Sequence, residues 1–243
     1  MRLDQALVER GMAATRSRAR DLIRRGCVKV AGAVARKAGL KIGDNVAINI
    51  IEGAQPYVSR GGLKLAAALA AFDISASGRT GLDVGASTGG FTEVLLRAGA
   101  KRVYAVDVGR GQLHQALRED PRVVCIEGVD ARRLTATDVP EPIGAIVADV
   151  SFISLTKALP AVLALAAADA WLVALIKPQF ELEPAAIGKG GIVKSLEARE
   201  RAVGNVRAWM ARRPGWRVLG VIPSPISGGG GNREFLMVAR RER

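Results

Sequence analysis

The sequence predicts an α/β fold, a doubly wound and mainly parallel sheet, preceded by a small basic α+β module. Three observations carry that expectation. Apolar runs of strand length alternate with helix-length segments through the last three quarters of the chain. A Gly-rich turn, Gly85-Ala86-Ser87-Thr88-Gly89-Gly90, follows one of those runs and opens a helical pattern. The basic charge is densest at the front: residues 1–55 hold 11 Lys/Arg against 5 Asp/Glu, or +6, and the other 188 hold 25 against 18, or +7.

The whole chain of 243 residues carries +13 with a pI near 10.6, and 49% of it is hydrophobic. The charge therefore decorates a chain able to bury a core, and it calls for an anionic partner, with nucleic acid leading. Cys27 and Cys125 form no pairing motif and His114 is the single histidine. A disulfide framework, a metal site and Ser-His-Asp hydrolysis are all disfavoured, and a reducing cytoplasm is expected. The start, Met1-Arg2-Leu3-Asp4-Gln5, lacks the apolar run of a secretory signal. Ala158 to Ile176 is the one membrane candidate, but Pro160 and Asp169 interrupt it. A spanning helix needs about 20 apolar residues, so the stretch reads as a helix over 156–168 and a strand over Trp171–Ile176, and no membrane partner is expected.

In the front module, Leu3, Ala6 and Leu7 mark a helix stopped at Arg10-Gly11. A second helix starts near Thr15 or Ser17, buries Ala19, Leu22 and Ile23, and ends at Gly26. Arg16, Arg20 and Arg24 fall on one face of it, flanked by Arg18 and Arg25, with Asp21 as the opposing acid. Such a stripe is either a solvated face or an RNA grip. Strands follow at Val28–Val30 and near Val46–Ile50, with turns at Gly32 and Gly43–Asn45. This order resembles an S4 RNA-binding domain in Arg2-Leu3-Asp4, in Ser17 to Gly26 and in Val28-Lys29-Val30-Ala31-Gly32, where Ala31 replaces the usual polar residue. The resemblance implies a hold on structured RNA, largely through phosphates, by Arg2, Arg16, Arg18, Arg20, Arg24, Arg25 and, further on, Arg60.

Residues 51–59, with Gly53 and Pro56, read as a linker between a 1–55 module and a 56–243 body. In the body, helices are expected near 62–72, 91–98, 112–118, 156–168 and 196–211. Strands are expected near 81–84, 102–107, 122–126, 145–149, 171–176, 216–222 and 234–240. The last two, joined by Pro223–Asn232 without a helix, suggest an antiparallel pair at one side.

The segment Leu82 to Glu93 is the most informative. Ser87 occupies the second glycine position of a dinucleotide fingerprint, and the Gly-Lys-Ser/Thr of a phosphate loop is absent. S-adenosylmethionine has no phosphates to cradle, and it fits. Asp83 stands ready for its ammonium or to order the site, and Asp107, with Val108, suits the ribose hydroxyls. Asp130, with Ala131, suits the adenine amino group, and the loop Gly85, Ala86, Ser87, Thr88, Gly89, Gly90 and Phe91 supplies the backbone. Asp149 ends the next strand.

The methyl acceptor is narrowed by what is missing. Cys125, in an expected buried strand, and Cys27 suit no attack on a pyrimidine carbon. Asp149-Val150-Ser151-Phe152 keeps the aromatic of an amine-methylating clamp but lacks its prolines. A hydroxyl acceptor needs help losing its proton. Lys177 and Asp149 end successive strands, Glu234 opens the last, and Lys64 lies in the first helix of the body. Burial and like charge can hold such a lysine neutral, though a rim ion-pair network explains the same residues.

From Tyr57 onward the chain resembles the TlyA family within the FtsJ-like methyltransferases, whose sheet is Rossmann-like. The matching segments are Val58–Leu65, Asp83–Glu93, Asp149–Leu155, Ile176–Glu181 and Gly231–Phe235. With the S4-like front the resemblance spans essentially the whole chain. It implies a catalytic Lys-Asp-Lys-Glu set at Lys64, Asp149, Lys177 and Glu234, using S-adenosylmethionine to methylate the ribose 2′-hydroxyl of cytidines in ribosomal RNA or an assembled subunit. Lys177 would deprotonate or steer the hydroxyl, Asp149 would set its protonation, and Lys64 and Glu234 would position the nucleotide. The chain's start at the S4 motif and its end after the last strand resemble the family's short form, implied to act on the large subunit alone. The rival readings are a membrane-active hemolysin, a label the family also carries, and a non-catalytic rRNA-binding protein.

Overall fold

The computed structural model describes residues 1–13, 15–24, 26–51, 57–228 and 230–242. The expected contact Arg25, the linker positions Gly53 and Pro56, and Gly229 of the late glycine run lie outside the described residues. The chain divides into two compact units, Met1–Pro56 and Tyr57–Arg243.

The first unit packs two helices, α1 (Leu3–Glu9) and α2 (Arg16–Arg24), on three strands, β1 (Val28–Val30), β2 (Ala33–Ala35) and β3 (Ile48–Ile50). Leu3, Ala6 and Leu7 of α1 and Ala19, Leu22 and Ile23 of α2 are buried against Val28 and Ile48, the i, i+3, i+4 pattern at work. Thr15 caps α2, its Oγ1 accepting from Arg18 N at 3.2 Å, and Gly26 closes it at φ +72°. β1 is central and antiparallel to both neighbours. Strand β2 was not expected: Ala33-Val34-Ala35 has little apolar bulk, and the tight turn through Ala31 (φ +48°) and Gly32 (φ +84°) forms it.

The second unit begins with α3 (Gly61–Ala71), β4 (Thr80–Val84), α4 (Gly90–Arg97), β5 (Arg102–Asp107), α5 (Gln115–Arg118), β6 (Val123–Glu127) and β7 (Ile143–Ala148). It continues with α6 (Leu155–Ala164), β8 (Ala166–Ile176), α7 (Pro178–Glu181), α8 (Leu196–Ala211), β9 (Trp216–Pro223) and β10 (Phe235–Arg241). Its seven strands run in the order β6-β5-β4-β7-β8-β10-β9, with β10 antiparallel to both neighbours and the pairs from β6 to β8 parallel. The expected doubly wound sheet is present. Alternation along the strands feeds two cores. Leu82, Ile146 and Leu172 pack with Leu159 of α6 and Val206 of α8, while Ala105, Val147 and Val173 pack with Leu65 of α3 and Leu95 of α4. Sequence order reverses between β4 and β7, the switch point beyond which ligands bind in sheets of this kind.

Three expectations change. The helix foreseen over 112–118 is one turn, Gln115–Arg118, because the preceding residues are held by Glu127. The helix over 156–168 stops at Ala164, and β8 is eleven residues long, its early part carrying exposed Asp169 paired with Arg79 at 3.0 Å. Cys125 sits on the half-buried edge strand β6, where burial pushes its thiol above the ordinary range.

Candidate active site

The Gly-rich turn leaves β4 with Gly85 at φ +81°, Ser87 at +48° and Gly89 at +94°, and α4 starts at Gly90. The N–H groups of Gly85 and Ala86 donate to Val106 O at 2.9 and 3.0 Å, tying the turn to β5. A Cβ on Gly85 would lie 2.6 Å from the carbonyl oxygen of Asp149, so the turn crosses the end of β7 where no side chain fits. A Cβ on Gly90 would lie 2.0 Å from Ser59 Oγ, so the segment before α3 rests on the first turn of α4. Glu93 holds that segment, accepting from Val58 N at 2.5 Å and pairing with Arg97 at 2.6 Å. Phe91 is buried beside Leu65 and Leu95 in the core, and the Thr88 carbonyl accepts from His114 N at 3.3 Å.

The strand-end acids diverge. Asp83 is fully buried, its Oδ2 accepting from Thr92 Oγ1 at 2.6 Å and its Oδ1 without a partner. Burial pushes its carboxyl up to about 7, with Thr92 opposing and the charges of Asp149 and Asp107 adding to the rise. Its hydrogen bond from Thr92 ties the end of β4 to the first turn of α4. Asp107 accepts Ser87 N at 2.8 Å and Gly109 N at 2.7 Å, one on each oxygen, and its neighbour Val108 is exposed. Asp130 caps the short turn Ala131–Arg133 and pairs with Arg132 at 2.5 Å, which holds its carboxyl down at about 2. It is engaged in the manner of an ordinary helix cap. The acid that organises this rim is instead Glu127, which accepts from the N–H groups of Gly111, Gln112 and Leu113 and from Arg118. Those donors, Arg118 first, hold it at about 2.

The four residues of the implied catalytic set form two ion pairs. Lys177 Nζ, just past β8, lies 2.6 Å from Asp149 Oδ1, just past β7, and donates to Ser151 Oγ at 2.8 Å. The contact with Asp149 is one of charge: its geometry leaves that oxygen without a hydrogen bond. Lys64 of α3 and Glu234, just before β10, meet at 2.5 Å, and both are buried. Phe235 opposes Ile176 in the β10–β8 ladder, which brings the residues flanking them, Glu234 and Lys177, to the same end of the sheet. Gly228 leaves room for the Glu234 carboxylate, since a Cβ there would lie 2.2 Å from Oε1. Buried Asn232 fastens the loop, accepting from Val193 N at 2.9 Å and donating to Gly191 O at 2.8 Å.

Phe152, 91% exposed at φ +64°, projects beside Phe180, the ring centroids 5.1 Å apart. The two line a cleft of about 520 Å³ with Arg132, Lys157, Gln179 and Ile187. Glu181 braces its wall by accepting from Ser154 Oγ at 2.6 Å and Leu155 N at 2.9 Å at the start of α6, and burial raises its carboxyl.

In the first unit, Arg16 and Arg20 share a face of α2 as expected, and the acid they turn to is buried Asp4 of α1. Arg2 joins them. Arg18 and Arg24 lie on α2 as well, and Arg60 precedes α3. Among the described residues no helix is long and apolar enough to cross a membrane, and no cluster of three or more metal-type side chains occurs.

Residues 57–241 match the FtsJ-like methyltransferase family and residues 1–48 match the S4 domain. A curated relative, the 16S/23S rRNA (cytidine-2′-O)-methyltransferase TlyA of Mycobacterium tuberculosis, is 45% identical over 99% of this chain and 90% of its own. The chain belongs to the TlyA family of FtsJ-like methyltransferases. Hemolysin A of Brachyspira hyodysenteriae is 42% identical over 97% of this chain and 98% of its own. A solved structure whose name proposes a hemolysin, from Streptococcus thermophilus, aligns with a TM-score of 0.80 and 40% identity over 100% of this chain and 88% of that one. The sequence singled out the strand-end acids, and its resemblance to the family singled out Lys64, Asp149, Lys177 and Glu234, which the structure pairs as Lys64–Glu234 and Lys177–Asp149. Glu127, Glu181 and Asp4 were not singled out as site residues, because each acts on an element distant from it in the chain.

Proposed function

We propose that the protein methylates the ribose 2′-hydroxyl of a cytidine in ribosomal RNA, large-subunit RNA in particular, with S-adenosylmethionine as donor, in the cytoplasm. The observation that carries this reading is the pair of ion contacts, Lys177–Asp149 and Lys64–Glu234, at the sheet end beside the Gly-rich turn. The rRNA cytidine named for the M. tuberculosis relative supports the substrate.

The residues present fit the donor. The turn Gly85, Ala86, Ser87, Thr88, Gly89 offers close backbone approach with no phosphate-binding lysine. Asp107 keeps lone pairs for ribose hydroxyls beyond the two N–H groups it accepts, and exposed Val108 beside it can cover a base. Asp130 and Ala131 would flank the adenine, Asp83 and buried Phe91 would hold the turn and α4 in place, and Asp149 would stand beneath the reacting centre. S-adenosylmethionine supplies an electrophilic methyl group when bound there.

The chain's own residues supply position and proton transfer. Lys177, fixed by Asp149 and Ser151, orients the 2′-oxygen; once its ammonium has released a proton to water, the neutral amine takes the hydroxyl proton on Nζ. The Asp149 carboxylate stabilises the resulting ammonium. Lys64 and Glu234, paired with each other, would position the nucleotide, and the exposed ring of Phe152 offers the base a stacking face over the cleft. Arg2, Arg16, Arg18, Arg20, Arg24, Arg25 and Arg60 bind phosphates.

Lys177→Ala tests the assignment. Calorimetry should show S-adenosylmethionine binding within about twofold of wild type, while transfer to rRNA falls at least ~100-fold. Transfer at the wild-type rate would remove Lys177 from the mechanism.

A further inference from the structure

The first unit contains a carboxylate that the RNA-grip reading leaves unused. Asp4, in the first turn of α1, is fully buried, yet three guanidiniums converge on it. Arg2 Nε lies 2.9 Å from Oδ1, and Arg16 Nη2 and Arg20 Nε lie 3.2 and 3.0 Å from Oδ2. The three arginine side chains remain 47, 49 and 45% exposed. They come from separate places, the residue before α1 and two successive turns of α2. Asp4 uses two nitrogens of Arg2 and one each of Arg16 and Arg20, so every guanidinium keeps N–H groups for another acceptor.

We propose that Asp4 is a positioning residue for RNA: its buried carboxylate gathers Arg2, Arg16 and Arg20 into one phosphate-binding fan, strengthening the hold on a polyanion despite its own negative charge. The proposal rests on reading the first unit as an RNA grip. Three cations this close repel one another, and without a counter-charge they spread into solvent. Arginine is long and rotamer-rich, and ordering it at the moment of binding costs affinity. A fixed buried anion removes much of that cost beforehand and presents the planar forks together for phosphate oxygens. The hydrogen bond from Arg2, followed by those from Arg20 and Arg16, keeps the Asp4 carboxyl well below the usual range against its burial, so the fan persists at physiological pH. Gly39 makes room for it, since a Cβ there would lie 3.2 Å from Arg2 Nη1.

Charge counting and positioning predict opposite signs. Asp4→Asn in the full-length protein raises net charge by one, which on counterion release alone tightens RNA binding. Positioning predicts about tenfold weaker binding to a large-subunit rRNA transcript, with a shallower salt dependence between about 50 and 200 mM. Affinity equal to or tighter than wild type would overturn the proposal. In a background with Arg2, Arg16 and Arg20 all changed to Ala, Asp4→Asn should add less than about twofold, because nothing is left to position. A full further loss there would show a scaffold role and overturn it as well. If the triple variant itself binds like wild type, the RNA reading of this face fails, and the role of Asp4 with it. Hydrogen exchange over residues 1–51 reports whether Asp4→Asn keeps the unit folded. Should it not, Asp4→Glu replaces it: net charge is conserved, the longer arm displaces the forks, and weaker binding is expected. Unchanged affinity in Asp4→Glu would overturn the proposal.

Discussion

Asp83 lies in β4 and Asp149 just past the neighbouring strand β7, and the protein gives their carboxylates different environments. Asp83 has one hydroxyl donor and no exposure; Asp149 faces a lysine. A carboxyl raised from its ordinary 3.8 to about 7 stays protonated in the folded state where the unfolded chain has released the proton. Its contribution to stability is therefore full below about pH 4 and is lost as pH rises to about 7. Asp83→Asn, which keeps an acceptor for Thr92, should flatten that fall, which for a carboxyl raised from 3.8 to about 7 is on the order of 4 kcal/mol. Thermal unfolding between pH 4.5 and 8 measures it, and an unchanged slope would contradict the buried, protonated carboxyl. The Lys64–Glu234 pair obeys another rule: removing one partner strands a buried charge at a cost of about 3–5 kcal/mol, so its variants lose stability along with activity. Asp83, Asp149, Lys177 and Glu234 stood out in the sequence as charges at strand ends, and Lys64 through the family resemblance. Asp4, Glu127 and Glu181 did not stand out, since nothing local to an acid tells whether it faces water, backbone N–H groups or three arginines.

At the scale of elements, the turn between β4 and α4 is the centre of the candidate site. Its glycines were visible in the sequence, but not why they are required. Gly85 sits at positive φ with the Asp149 carbonyl 2.6 Å from where a Cβ would lie, so Gly85→Ala meets both backbone strain and a rigid neighbour. Gly78 shares a positive φ of +68° but has nothing within 4 Å. Gly78→Ala should cost ~1 kcal/mol and Gly85→Ala at least ~2 kcal/mol, with loss of S-adenosylmethionine affinity in the second alone. Denaturant unfolding and calorimetry on the two variants check this, and equal costs would show that the close approach to β7 is unimportant. Long periodic segments such as Leu196–Ala211 and Arg102–Asp107 were read correctly from pattern. The errors fell where a side chain from elsewhere decides the outcome: Glu127 unwinds the residues before α5, and strand pairing with β7 and β10 claims the residues after Ala164.

Across the whole molecule, the +13 of the chain divides into parts with different work. In the first unit, Asp4 organises part of a dense basic surface. In the second, Lys64 and Lys177 are drawn to the end of the sheet and paired with acids. Composition alone indicated an anionic partner; the sheet order β6-β5-β4-β7-β8-β10-β9 brings the strand ends that carry Asp149, Lys177 and Glu234 to one side of the sheet. The most direct measurement is mass-spectrometric mapping of rRNA incubated with the purified protein and S-adenosylmethionine carrying a labelled methyl group. The label should appear on the 2′-oxygen of a cytidine in large-subunit rRNA and disappear with Lys177→Ala. Label on a base carbon or an amine, or rRNA left unlabelled by the wild-type protein, would contradict the account.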